Sequence, residues 1–143
     1  MLSIQLIEYG SSQYEAELKL REKILRNPLG LTLMPSEIAN DPSSIHIAAF
    51  MDDSLRACLI LSPLEPTLIK MRQVAVDTEL QGQGIGKKLV HFAEKYAQEN
   101  AFNEIKLNAR ESVLPFYLSL GYEAYGDLFN EIGIPHRAMR KKL

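Results

Sequence analysis

Leu68-Ile69-Lys70-Met71-Arg72-Gln73-Val74-Ala75-Val76 is followed by Gln81-Gly82-Gln83-Gly84-Ile85-Gly86 and then by Lys87-Lys88-Leu89-Val90-His91-Phe92-Ala93-Glu94-Lys95-Tyr96. The first stretch is a largely apolar run and reads as a buried strand. The last is amphipathic and predicts a helix over residues 84–98. A glycine-rich turn between the two leaves backbone N–H groups uncovered by side chains. It also aims the positive end of the helix dipole at whatever binds there. Strand, turn and helix together predict a site for a phosphate or pyrophosphate.

Spacing narrows the ligand. A dinucleotide fingerprint, G-x-G-x-x-G, accepts Gly82 and Gly84 but would need its third glycine at Lys87. A P-loop ending at Gly86-Lys87 would need a glycine at Gln81 and a hydroxyl at Lys88. The spacing that is met is Q/R-x-x-G-x-G/A, by Gln81, Gly84 and Gly86. The plainer reading is a strand-to-helix connection with no ligand.

That spacing resembles the acetyl-CoA motif of the GNAT superfamily, the acetyl-CoA-dependent N-acetyltransferases. Pro115-Phe116-Tyr117-Leu118-Ser119-Leu120-Gly121-Tyr122 resembles the family's second signature, an aromatic-Tyr pair followed by x-x-x-Gly-aromatic. The resemblance runs from about Ser44 to the C-terminus. Leu25-Arg26-Asn27-Pro28-Leu29-Gly30 and Glu131-Ile132-Gly133-Ile134-Pro135-His136 are similar to segments of small bacterial members.

The resemblance implies acetyl-CoA as cosubstrate and no metal. It assigns the pyrophosphate to Gln81, Gly82, Gln83, Gly84, Ile85 and Gly86 and to the first helical residues. Lys87 and Lys88 add charge there or form a solvated helix face. The strand edge at Val74, Ala75 and Val76 would pair with the pantetheine arm, one free N–H polarising the thioester carbonyl. Tyr117 is implied as the general acid that protonates the leaving thiolate; the alternative is a packing aromatic with a wet hydroxyl. The base is open. The strand before the turn offers Lys70, Arg72 and Gln73 and no carboxylate, which departs from many family members. Glu37, His46, Glu131 and His136 are the candidates, beside a water chain to solvent.

At 143 residues the chain is long enough for one domain, 1–143, with a full core. A formal net charge of −2 makes no electrostatic case for nucleic acid, and the basic tail Arg137, Arg140, Lys141, Lys142 reads as a solvated strand end. Cys58 is the only cysteine, which precludes an internal disulfide; mid-strand, it reads as a core residue. No metal-ligand spacing, leader-like start or membrane-length apolar run is evident, so the expectation is a cytoplasmic protein with no membrane partner.

Elsewhere the pattern predicts a strand over residues 2–7 and a helix over 13–26 capped at Ser11-Ser12, with Leu18, Leu20, Ile24 and Leu25 as its apolar stripe. Asn27-Pro28-Leu29-Gly30 ends it, and one short helix near Ser36-Glu37-Ile38 follows. Strands are predicted at 45–51 and 55–61 around Asp52-Asp53-Ser54, with Pro63 and Pro66 in the next loop. A strand at 105–109, a short helix at 113–120, and strands at 122–129 and 136–142 around a 130–135 turn complete the order. This is an α+β class, a GNAT-like fold with a mixed, mostly antiparallel twisted central sheet flanked by helices. In that family the strands carrying 68–76 and 105–109 run parallel and splay apart to admit pantetheine.

Arg21, Arg26, Glu37 and Asp41 are expected to line an acceptor pocket or to sit solvated on the surface. The acceptor is a small amine, an amino-acid-like molecule or a protein amino group, and family members often form homodimers. The leading expectation is an acetyl-CoA-dependent N-acetyltransferase working by direct attack in a ternary complex. The alternative is a non-catalytic CoA- or acyl-CoA-binding module, and a nucleotide-binding protein of other chemistry is a third reading.

Overall fold

The computed structural model describes residues 1–143, in the order β1 (Leu2–Ile7), α1 (Ser12–Leu25), α2 (Pro35–Ile38), β2 (Ile45–Met51), β3 (Ser54–Glu65), β4 (Leu68–Val76), α3 (Ile85–Glu99), β5 (Glu104–Arg110), α4 (Leu114–Ser119), β6 (Glu123–Glu131) and β7 (Ile134–Lys142). All seven strands form one sheet in the order β1-β2-β3-β4-β5-β7-β6. Only β4 and β5 pair in parallel. This is the mixed, mostly antiparallel α+β architecture expected.

The main core lies between one face of the sheet and α3. That helix buries Ile85, Leu89, Val90, Ala93 and Ala97, at helical spacing, against Ile47, Leu59, Leu61, Ile69 and Met71 of the strands. β5 alternates in strict period two, burying Ile105, Leu107 and Ala109 on the same side. Lys106, Asn108 and Arg110 therefore project to the opposite face, which α1 covers further along at β3 and β4.

Two strand interruptions create the site. β4 and β5 pair only at Leu68–Lys70 with Glu104–Lys106 and then separate. β5 stays with β7 along its whole length, while β4 stays with β3. In addition β4 carries a bulge. Cys58 faces Ala75 and Ile60 faces Arg72, so three steps on β4 oppose two on β3, and Gln73 takes a left-handed φ of 52°. Gln73 and Val74 have no register partner on either neighbouring strand.

Several expected loops are tighter than the sequence implied. β3 runs through Pro63 to Glu65, because β2 stops pairing at Leu61 and the missing proline N–H is needed by no neighbour there. The expected 130–135 turn shrinks to Ile132-Gly133, both left-handed at φ 49° and 77°. Asn130 and Glu131 consequently belong to β6, and Ile134 and Pro135 join His136 in β7. Asp52-Asp53 closes the β2–β3 hairpin in the same way, at φ 50° and 68°.

Of the apolar stripe predicted for α1, Leu20 is buried and Ile24 and Leu25 pack against its cluster, but the helix also buries polar residues. Its buried residues are Tyr14, Glu17, Leu20 and Arg21. Arg21 and Asp41 are fully buried, and neither is solvated nor lines the cavity between β4 and β5 where an acceptor pocket was expected. Arg21 Nη1 donates to Glu17 Oε2 at 3.1 Å and to Asp41 Oδ2 at 2.8 Å, and Tyr14 Oη donates to the same Asp41 oxygen at 2.6 Å. His46 completes the cluster, with Nδ1 2.9 Å from Glu17 Oε2 and Nε2 2.8 Å from the Asp41 carbonyl. Glu17 and Arg21 are one helical turn apart, but Asp41 and His46 lie far from them along the chain and join the charge balance only once it is folded.

Both ring nitrogens of His46 face acceptors, an arrangement that favours the imidazolium. Burial opposes that charge, but the Glu17 carboxylate and the Asp41 carbonyl outweigh it and lift the pKa above its ordinary 6.5. A raised folded-state pKa gives stability that is complete below the unfolded value and lost as pH rises through the folded one. Urea unfolding between about pH 6 and 9 should therefore show the wild type losing stability as pH rises. His46→Gln should be less stable at the acid end and flatter across the range.

Candidate active site

From Val76 the chain makes one 3-10 turn, Thr78–Leu80, and reaches the glycine stretch. Asp77 anchors this passage, accepting from Arg56 Nε at 3.1 Å and from the Glu79 N–H at 3.4 Å. The Gln81 carboxamide donates to the Val76 carbonyl at 3.0 Å. It braces the turn against the end of β4. Gly82 and Gly84 are left-handed at φ 83° and 80°, where a side chain would be strained. Gly86 is different, since a Cβ there would lie 3.4 Å from Phe116 Cζ and 3.7 Å from Val76 Cγ2. That leaves room for a methyl and no more, which accounts for a Gly/Ala position.

Gly84 is the N-cap of α3 and supplies no side-chain cap. The first intrahelical bond is Lys88 N–H to the Gly84 carbonyl, at 3.1 Å. The six successive N–H groups from Gly82 to Lys87 find no acceptor in the protein. No acidic residue occupies the first turn of α3, and Lys87 and Lys88 are exposed beside it. Six free donors at a positive helix end fit a phosphate or pyrophosphate.

The separation of β4 from β5 opens a cavity of about 590 Å³. Its walls are the second half of β4, the end of β5, the end of α1, Tyr117 of α4, and the β6–β7 turn with His136. The bulge stands in this wall. Gln73 Oε1 accepts from Arg21 Nε at 2.6 Å, so the buried cluster under α1 holds the strained residue in place.

Tyr117 is buried to 6% exposure yet lines the cavity. Its ring stands edge-on to Phe116 and Tyr122, with centroids 5.0 Å and 5.6 Å away. Burial alone holds its hydroxyl pKa well above that of an ordinary phenol, so the proton stays on the oxygen.

The candidate bases divide. His136 Nδ1 lies 2.8 Å from the Ile134 carbonyl and must carry a proton to donate to it. The lone pair of the neutral ring is then on Nε2, which lies 3.5 Å from Glu131 Oε2. Both residues line the cavity with Tyr117. Glu37 also lines it, but its carboxylate is taken by Arg26 Nε at 2.7 Å, by Arg26 Nη2 and by the Met34 N–H at 2.7 Å. Burial pushes its pKa up, but those donors prevail and hold it below the usual carboxylate value. His46 lies in the buried cluster and does not reach the cavity. Sequence reasoning noted Lys70, Arg72 and Gln73 only as the absence of a carboxylate, and passed over Asn108 and Arg110. The polar alternation of β5 was the available signal.

A family model for the acetyltransferase (GNAT) domain matches residues 31–143. The chain is 26% identical over 145 residues to the N-acetyltransferase YitI of Bacillus subtilis, with 96% of this chain and 97% of that protein covered. The crystal structure of Escherichia coli ElaA superposes with a TM-score of 0.87 at 21% identity, over 99% of each chain. A GNAT acetyltransferase from Elizabethkingia anophelis with acetyl-CoA bound superposes with a TM-score of 0.74 at 16% identity, over 99% of this chain and 98% of that one. No helix of this chain is long and apolar enough to cross a membrane.

Proposed function

The chain belongs to the GNAT acetyltransferase family, and from that premise we propose that it moves an acetyl group from acetyl-CoA to a primary amine by direct attack in a ternary complex, with residues 1–143 acting as one domain. The observation that carries this reading is the row of six unpaired N–H groups, Gly82 to Lys87, directly following Gln81, which lines a cavity together with Tyr117 and His136. Acetyl-CoA supplies the acetyl group and a thiolate leaving group.

The remaining work falls to this chain. The glycine turn and the head of α3 hold the pyrophosphate. The bulge residues Gln73 and Val74, unpaired in the sheet, offer N–H groups to the thioester carbonyl. His136 Nε2 takes the surplus proton of the attacking amine, with Glu131 beside it to stabilise the imidazolium. Tyr117 Oη donates to the departing thiolate. The new C–N bond replaces the C–S bond, and CoA leaves as the thiol. No Ser, Thr or Cys that could carry a covalent acetyl group lines the cavity, and Cys58 is fully buried in β3.

Calorimetric titration with acetyl-CoA, CoA and ATP, followed by turnover with an amine panel, tests the reading. Selective binding of acetyl-CoA and CoA is expected, and preference for ATP would overturn it. Tyr117→Phe should keep wild-type CoA affinity while kcat falls by roughly 10²-fold. An unchanged kcat would remove the phenol from the reaction. A CoA-binding module without transfer is favoured by one feature, the lack of a carboxylate on β4. Binding without release of CoA thiol for any amine would select it.

A further inference from the structure

Four cations line the cavity, Arg26, Lys70, Arg72 and Arg110, against two carboxylates, Glu37 and Glu131. Arg26 and Glu37 neutralise each other. Glu131 turns toward His136 and toward Asn108 Nδ2, 3.4 Å away. Arg72 donates only to neutral oxygens, Ser62 Oγ at 3.5 Å and the Glu37 carbonyl at 3.3 Å. Arg110 donates only from Nη2, to the Leu25 carbonyl at 2.8 Å. No carboxylate forms an ion pair with Lys70, Arg72 or Arg110.

All three are partly buried. A guanidinium has five N–H donors in a fork that matches a carboxylate, and most of those donors are unspent here. Withdrawing such charges from water without a counter-ion is unfavourable, and burial accordingly depresses the Lys70 and Arg110 pKa values. An anion entering the cavity would relieve that. Placement adds a second constraint. Arg110 on β5 faces His136 directly across the ladder to β7. Opposed residues keep their Cβ atoms about 5 Å apart, so the charge stands one side chain from Nε2, where the amine must arrive.

We infer that the acceptor is a primary amine that also carries a carboxylate, the acid received by Arg72 and Arg110 and the amine presented to His136. The inference rests on the acetyl-transfer reading and adds its substrate class.

The test compares amino acids and dipeptides, each paired with its C-terminal amide, as acceptors with saturating acetyl-CoA. The acid should exceed its amide in kcat/KM by at least ~10²-fold, because the amide leaves two partly buried guanidiniums unanswered. In Arg72→Gln and Arg110→Gln that preference should fall below ~10-fold while the KM for acetyl-CoA is unchanged. Arg110→Lys, which keeps the charge and loses the fork, should fall between and controls for folding. Equal use of the amides would overturn the inference, as would a raised acetyl-CoA KM in the variants, which would give these cations to the cosubstrate. If no panel member is acetylated, ligand-observed NMR of the CoA-loaded protein with the same pairs decides. Binding of the acids alone, lost in Arg110→Gln, upholds the inference, and absence of preference overturns it. A wild type that does not bind acetyl-CoA fails earlier and differently, removing the transfer reading and this inference with it.

Discussion

Gly84→Glu should abolish measurable acetyl-CoA binding while leaving the protein folded. Nothing lies within 4 Å of where a Cβ at Gly84 would stand, so the side chain has room in the free protein. The folding penalty is confined to the backbone, whose φ of 80° costs a non-glycine residue about 1–2 kcal/mol. The carboxylate would project at the N–H groups of Gly82 to Lys87, satisfy some of them and repel the phosphates. Two like charges about 4 Å apart at a protein surface interact by about 4 kcal/mol, which is roughly 10³-fold in affinity. Gly84→Ala carries the backbone strain without the charge and should lose far less. Calorimetry read beside thermal melting separates the two effects. Undiminished affinity in a folded Gly84→Glu protein would remove the turn from cosubstrate binding.

Arg21→Met should be the most destabilising single change in this chain outside its apolar core. Glu17, Arg21, Asp41 and His46 have almost no solvent exposure, and the two acids are balanced by the two bases. Removing Arg21 leaves two buried carboxylates facing one imidazolium, a loss of about 3–5 kcal/mol. Against a total stability of about 5–15 kcal/mol that is a large fraction, and a fall in Tm of roughly 10 °C is expected. The network is not a net stabiliser merely by existing. Arg21 Nη2 and Asp41 Oδ1 find no partner within it, and buried ion pairs often do no better than packed apolar groups.

What the network does is hold position, through the Arg21 Nε bond to Gln73. Gln73→Ala leaves the charge balance intact but strands the buried Arg21 Nε–H, so it should cost about 1–3 kcal/mol, less than Arg21→Met, with kcat lowered by about 10-fold as the bulge loosens. Arg21→Lys keeps a charge for the carboxylates but lacks the fork that reaches both them and Gln73. It should recover most of the stability and less of the rate. Wild-type kcat in both variants would show that the bulge needs no clamp.

The strand-turn-helix unit was legible because each of its parts is local. A largely apolar run, a glycine-rich turn and an amphipathic helix each dictate conformation from adjacent residues, and β4 forms over Leu68–Val76 as read. The same holds for Tyr117, carried by its own short helix after β5. Readings failed where burial and chemistry depend on residues far apart. The α1 stripe held at Leu20, Ile24 and Leu25 but missed Glu17 and Arg21, which become core residues only when Asp41 and His46 arrive to neutralise them. The 130–135 loop was overestimated because strand pairing carries Asn130 and Glu131, with Pro135 and Ile134 opposite them, into the sheet.

From local pattern alone, then, the sequence determined the α+β order, the glycine turn ahead of α3 and the aromatic of α4, since hydrophobic periodicity and glycine conformation need no distant partner. Only the tertiary structure decided which candidate base reaches the cleft, what holds the bulge of β4, and that Arg72 and Arg110 face the cavity without a counter-ion. Those properties are distances and charge balances between strands remote in sequence, set by where β4 parts from β5 and by what packs beneath α1.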